Sequence, residues 1–129
     1  MANNETFLKW MIDNTKTTWW HDSADPEELE LGIKRGAVGA TTNPFLSHVA
    51  LNHNRERWSG EIRTVLEKRL KPAEQAEELM GVVVVSAAQQ LLPKYEESGG
   101  EMGYVCAQVD LTKAGDRQAM LAMAQPTPN

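Results

Sequence analysis

Four side chains of this sequence stand where extended chain gives way to a turn, and each is of a type that can handle a polar substrate. Asp22 follows Thr17-Thr18-Trp19-Trp20-His21, and Thr41 and Asn43 follow the apolar run that begins at Gly36. Gln108 lies inside Tyr104-Val105-Cys106-Ala107-Gln108-Val109-Asp110, which brings a further carboxylate, Asp110, to the same place. A carboxylate at such a position can act as a general base if burial raises its pKa toward neutrality. A hydroxyl or an amide can orient a substrate hydroxyl without changing charge. The same residue types also cap helices. Asp22 competes with Ser23 and Asp25 for one cap, and Thr41, Thr42 and Asn43 precede Pro44, a residue suited to the first turn of a helix. Local sequence leaves both readings open.

Other reactive residue types point to less. His48 and His53 are five apart and fall on different faces of a helix, and His21 lacks a third ligand at sensible spacing, so no metal site is expected. Cys106 sits in an alternating strand pattern and reads as a small packed hydrophobe. Gly36-Ala37-Val38-Gly39-Ala40 is too short for a phosphate-binding glycine loop. Trp10, Trp19, Trp20 and Trp58 are expected in the core or capping its lower end.

The elements that must position these residues follow from periodicity. Phe7, Leu8, Met11 and Ile12 predict a helix over 4–13, and the β-branched and aromatic run 17–21 predicts a strand. Asp25, Pro26 and Glu28 then form a capping-box pattern, Lys34 and Arg35 suit a helix C-terminus, and Gly36 ends it. Residues 37–41 predict a second strand, and Pro44 opens the next helix. Residues 55–70 space Trp58, Ile62, Val65, Leu66 and Leu70 on one face. Beyond Pro72, four consecutive valines suggest a strand, yet Ala76, Leu79, Met80, Val83, Val84, Ala87 and Leu91 trace one helical face without a turn signal. A loop at 98–103, a buried strand at 104–110 and a helix at 116–124 complete the order, before the sequence reaches Gln125-Pro126-Thr127-Pro128-Asn129.

Strands alternating with helices imply an α/β fold with parallel strands and right-handed crossovers. Three strands make a poor finished parallel sheet, which needs helices on both faces or closure into a barrel. The 129 residues therefore read as a single incomplete domain. A net charge of −5, with 13 basic residues scattered along the chain, argues against nucleic acid as a partner. The single cysteine fits a reducing compartment. No signal peptide is visible, and no apolar run approaches the ~20 residues of a membrane span, so a cytoplasmic location is expected.

Trp19-Trp20-His21-Asp22-Ser23-Ala24-Asp25-Pro26-Glu27-Glu28-Leu29 followed by Gly36-Ala37-Val38-Gly39-Ala40-Thr41-Thr42-Asn43-Pro44 resembles the start of the transaldolase family, and the segment around Gln108 resembles that family's third-strand motif. The similarity runs from about Thr17 to Ala124. It implies the N-terminal part of a (β/α)8 barrel, about three βα units behind an N-terminal helix. It further implies cofactor-free chemistry on sugar phosphates through a lysine Schiff base, as in the pentose phosphate pathway. A dihydroxyacetone unit would remain on the lysine as an enamine until an acceptor aldose arrives. By match to the motifs, Asp22 would accept the proton in carbon–carbon cleavage. Asn43 would hydrogen-bond the dihydroxyacetone hydroxyls, and Thr41 would support the site. Homo-oligomerisation stays open.

The chain departs from the pattern in three respects. Phe45 and Ser47 replace a small and an apolar residue, changes expected to affect helix packing more than chemistry. Gln108 stands where transaldolases have a proton-carrying glutamate, and fructose-6-phosphate aldolases resemble the chain better there. The long separation between Asn43 and Gln108 instead resembles the larger transaldolases. Finally, Lys9, Lys16, Lys34, Lys68, Lys71, Lys94 and Lys113 all lie off the ends of buried strands, so the Schiff-base lysine is expected outside these residues. A non-catalytic binding protein built on a partial barrel is the alternative.

Overall fold

A computed structural model describes residues 7–125. The first residues of the expected helix 4–13, and 126–129 of the last segment, lie outside the described residues. In chain order the elements are α1 (Phe7–Asn14), β1 (Trp20–His21), α2 (Pro26–Lys34), β2 (Gly39–Thr42), α3 (Pro44–His53), α4 (Ser59–Glu67), α5 (Pro72–Glu97), β3 (Tyr104–Ala107), a 3₁₀ turn (Leu111–Lys113) and α6 (Arg117–Ala124). Three of the helices open on proline, where a missing N–H costs nothing.

The strands pair in the order β1-β2-β3, all parallel, as the alternation of strands and helices requires. Each is shorter than its sequence pattern: β1 keeps only Trp20 and His21 of the expected 17–21, and β3 stops at Ala107. Nor is β3 the buried strand expected, since Tyr104, Cys106 and Ala107 are exposed. The valine run of α5 is helical over a 26-residue element, with Val83, Ala87 and Leu91 fully buried on the expected face. The helix expected over 55–70 is shorter. Arg57 N–H bonds Asn54 Oδ1, a turn runs through Trp58, and α4 begins at Ser59. Trp58 is nonetheless core, and its indole N–H reaches Ala50 O at 3.0 Å.

Register assigns the two faces of the sheet. Ala40 pairs with His21 and Val105, and Thr41 pairs with Cys106. Successive side chains point to opposite faces, so Ala40 and Val105 share one face and Thr41 and Cys106 the other. The first face meets the helices. Ala40 packs with Leu29 of α2 and with Val83, Ala87 and Leu91 of α5, and Val105 joins the same cluster. β3 docks closely enough on α5 that a Cβ on Gly103 would lie 2.5 Å from Tyr95 N; its φ of +88° is also one that glycine adopts freely.

The second face is open. Cys106 is exposed there, and Trp20 lies across Gly39, whose added Cβ would come within 2.7 Å of the ring. Two expectations are thereby corrected. Cys106 is not a packed hydrophobe, and Trp10 and Trp20 stand 48% and 39% exposed rather than in the core. Cys106 and Trp20 share one cause, since among the described residues helices cover one side of the sheet and both lie on the other. Trp10 belongs to α1, none of whose residues is buried.

Candidate active site

The loop from β1 to α2 is short, and its three residues after Asp22 are all buried. Asp25 is the N-cap of α2, with its Oδ1 accepting the backbone N–H of Glu27 and of Glu28 at 3.1 Å each. Ser23 Oγ accepts the N–H of Asp25 at 3.1 Å. The cap is thus fully provided without Asp22. Asp22 instead lies one step past His21, level with Thr41. It is exposed, so the burial expected of a general base is not present among the described residues. Thr41 Oγ1 donates to Asp22 Oδ1 at 2.7 Å. This bond joins two residues 19 apart in sequence across the carboxyl ends of adjacent parallel strands. Ligands of parallel α/β folds bind at that edge.

Thr42, next to Thr41, faces the other way. It is buried, and its hydroxyl meets that of Ser47, itself fully buried, at 3.3 Å. Ser47 therefore gives α3 a polar contact to β2 where an apolar residue was the expected choice. Phe45 corrects its expectation more sharply: at 70% exposure its ring takes no part in helix packing.

Asn43 is the N-cap of α3, with Oδ1 accepting Leu46 N–H at 2.9 Å. Capping takes one acceptor site of the oxygen, and the amide N–H donors are further groups that Asn43 can offer a hydroxyl. Gln108 follows β3 and is exposed. Continuing the β2–β3 register past Thr42 and Ala107 sets it level with Asn43. Asp22 and Thr41 are in direct contact, and Asn43 and Gln108 share their edge of the sheet one step further along. Among the described residues no hydrogen bond joins Gln108 to the pair. Asp110 is taken up by the following turn: it accepts Thr112 N–H at 2.9 Å and the Thr112 hydroxyl at 2.7 Å. Those bonds, with Lys113 nearby, outweigh desolvation and hold its carboxyl below the usual range.

An ion pair unforeseen in the sequence lies behind Asp22. The second oxygen of Asp25 accepts His53 Nδ1 at 2.7 Å. Burial pushes the Asp25 carboxyl up, but the His53 hydrogen bond, the N–H groups of Glu28 and Glu27 and the His53 charge together hold it below its ordinary value. The bond to Asp25 and its negative charge raise the His53 pKa, with Glu27 and Glu28 adding to the effect. The one sequence signal was an N-cap aspartate, which has an oxygen to spare.

None of the seven lysines lies on a strand. Lys9, Lys34 and Lys68 pair with Asp13, Glu30 and Glu78. Among the described residues no group of three or more His, Cys, Asp or Glu is placed to hold a metal. No helix among them is long and apolar enough to cross a membrane. Two concavities lie elsewhere: an open groove of about 740 Å³ between α3, α4 and α5, and one of about 450 Å³ beside the start of β1 and β2. Neither includes Asp22, Thr41, Asn43 or Gln108, and the first is mostly apolar. The strand ends bring Asp22 and Thr41 together with Asn43 and Gln108 alongside, and they are the candidate site.

A family model described as transaldolase/fructose-6-phosphate aldolase matches residues 19–126. The matched span opens just before β1 and takes in all four strand-end residues. No curated protein matches the chain.

Proposed function

The chain belongs to the transaldolase/fructose-6-phosphate aldolase family, and on that premise we propose that it supplies the first three strand–helix units of a (β/α)8 barrel acting on sugar phosphates. The reaction is transfer of a dihydroxyacetone unit through a lysine Schiff base, in carbohydrate metabolism of the cytoplasm, with the lysine outside these residues. The open sheet face supports the barrel, since that face becomes the filled interior when eight strands close. A complete barrel takes about 250 residues.

The observation that carries the reading is the 2.7 Å bond from Thr41 to Asp22. It fixes one carboxylate oxygen and leaves the other for a substrate proton. Asp22 takes that proton from the sugar hydroxyl as the carbon–carbon bond breaks. The bonding electrons flow into the iminium to give the enamine, and the aldehyde product leaves. Covalent attachment holds the donor in place, so the carboxylate needs only a short reach to its proton. The Asn43 amide N–H groups orient the dihydroxyacetone hydroxyls. Gln108 orients a water.

Gln108 also supports a second reading, simple aldol cleavage of the fructose-6-phosphate aldolase type, because an amide holds a water but carries no proton. Borohydride reduction in the presence of fructose 6-phosphate tests the common premise. The protein carrying the complete barrel is expected to gain one covalent adduct, on a lysine outside residues 1–129. An adduct on any of the seven lysines present here would overturn the placement of the nucleophile.

A further inference from the structure

Asp22 is fixed from two directions. Thr41 holds its carboxylate, and the buried loop to α2 holds its backbone. Only Ser23 and Ala24 separate Asp22 from Asp25, and they are 7% and 0% exposed, so a displacement of the α2 N-terminus reaches Asp22 with little slack. Asp25, 4% exposed, spends one oxygen on the first turn of α2 and the other on His53. His53 is the last residue of α3, whose N-cap is Asn43. One 10-residue helix thus begins at a substrate-binding candidate and ends on the anchor of the base.

The contacts close a circuit: Asp22 to Thr41 by a hydrogen bond, Thr41 through Asn43 and α3 to His53 along the chain, His53 to Asp25 by the ion pair, and Asp25 back to Asp22 through the buried loop. Removing the His53 link takes away the direct tie between the α2 N-terminus and α3. The Gln90 side-chain N–H on Pro26 O at 2.9 Å and the packing of Leu29 are left to hold the start of α2, so the expected shift at Asp22 is small.

We propose that His53 is a positioning residue for Asp22, acting through the Asp25 carboxylate. The inference rests on the active-site reading above, because it assumes that Asp22 is the base. A buried aspartate whose two oxygens serve two different helices sets their relative position at the point where the catalytic loop departs. His53 itself touches no substrate, and its effect is on geometry.

Steady-state kinetics on the protein carrying the complete barrel test this with three variants. His53→Ala is expected to lower kcat by between about 10-fold and about 10²-fold, the range for a small misplacement of a reacting group, with KM little changed. His53→Asn, whose amide N–H occupies the place of Nδ1–H, is expected to recover most of the loss. Wild-type kcat per folded molecule in His53→Ala, even with a lower Tm, would overturn the inference, since the pair would then only brace two helices. Failure of His53→Asn to improve on alanine would overturn it too. Asp22→Asn, run in parallel, separates this outcome from failure of the active-site reading: retained turnover there removes the base itself, whereas its collapse beside unaffected His53 variants removes only the positioning role.

Discussion

Ala40 and Thr41 are neighbours on β2, yet one is sealed beneath α5 and the other holds a carboxylate beside open solvent. The same division runs across the sheet. Val105 packs into the helix layer, while Cys106 beside it is exposed. Small and β-branched apolar side chains suit the first face, because a helix must approach the sheet closely to exclude water. The second face carries a tryptophan, a threonine, a cysteine and, past the strand ends, Asp22 and Gln108. A surface of that composition is unsuited to meet a helix and well suited to line a barrel with a polar mouth. On the proposed function, stability resides on one face and chemistry on the other.

Asp22→Asn should break the comparison most forcefully if the comparison is wrong. The amide preserves shape and hydrogen bonding but cannot accept a proton. Loss of a general base costs ~10²–10⁴ in rate, and turnover of the protein carrying the complete barrel should fall within that range. The lysine and its pocket remain, so borohydride should still trap an adduct. Near-normal turnover would mean that the open face does no chemistry.

Leu91→Ala probes the covered face. Leu91 is fully buried where α5 meets the sheet, and truncating such a leucine costs about 2–5 kcal/mol. Denaturant unfolding of the same protein should register that loss, while turnover per folded molecule stays near wild type. A fall in turnover without a fall in stability would mean that the helix layer acts on the site directly.

Much of this division can be read in the sequence, and what cannot has physical causes. Parallel order, the helical nature of α5 and the cap at Asp25 follow from periodicity and local chemistry, which the chain carries within a few residues; Thr41, Thr42 and Asn43 are equal candidates for the α3 cap, which Asn43 fills, and Asp116 caps α6 instead of opening it. The strand-end placement of Asp22, Thr41, Asn43 and Gln108 follows as well. That Asp22 touches Thr41 while Thr42 turns toward Ser47 depends on register, and a one-residue slip would exchange the two threonines. The His53–Asp25 pair spans 28 residues and depends on the course of α3, for which a sequence pattern holds no signal. Trp58 fitted a helical spacing with Ile62 and Val65 but occupies the turn before α4, because its indole N–H bonds back to Ala50. Phe45 and Trp20 read as packing residues because large apolar side chains usually are, yet both are exposed, Trp20 across Gly39 on the open face of the sheet.

Thr41→Val has the smallest expected effect on stability and separates the two faces most finely. Valine keeps the β-branched shape that suits a strand and removes only the hydroxyl that donates to Asp22. Asp22 is exposed, so water replaces the lost donor, and the net cost of one such hydrogen bond is about 0.5–1.5 kcal/mol. Turnover should suffer more than stability. Without Thr41 the carboxylate can swing about its own side-chain bonds, and both oxygens become equivalent to solvent instead of one being fixed and one presented. A loss of about 10-fold in kcat is expected, below the ~10²-fold attached to a full ångström of misplacement, because the backbone of Asp22 stays anchored through Asp25. Thr41→Ser, which restores the hydroxyl, should recover most of it. The pattern is therefore the reverse of Leu91→Ala: a small change in unfolding free energy and a larger one in turnover. If Thr41→Val lowers stability and leaves kcat at the wild-type value, the bond is only a clamp between β1 and β2, and the open face loses the feature that marks it as the site.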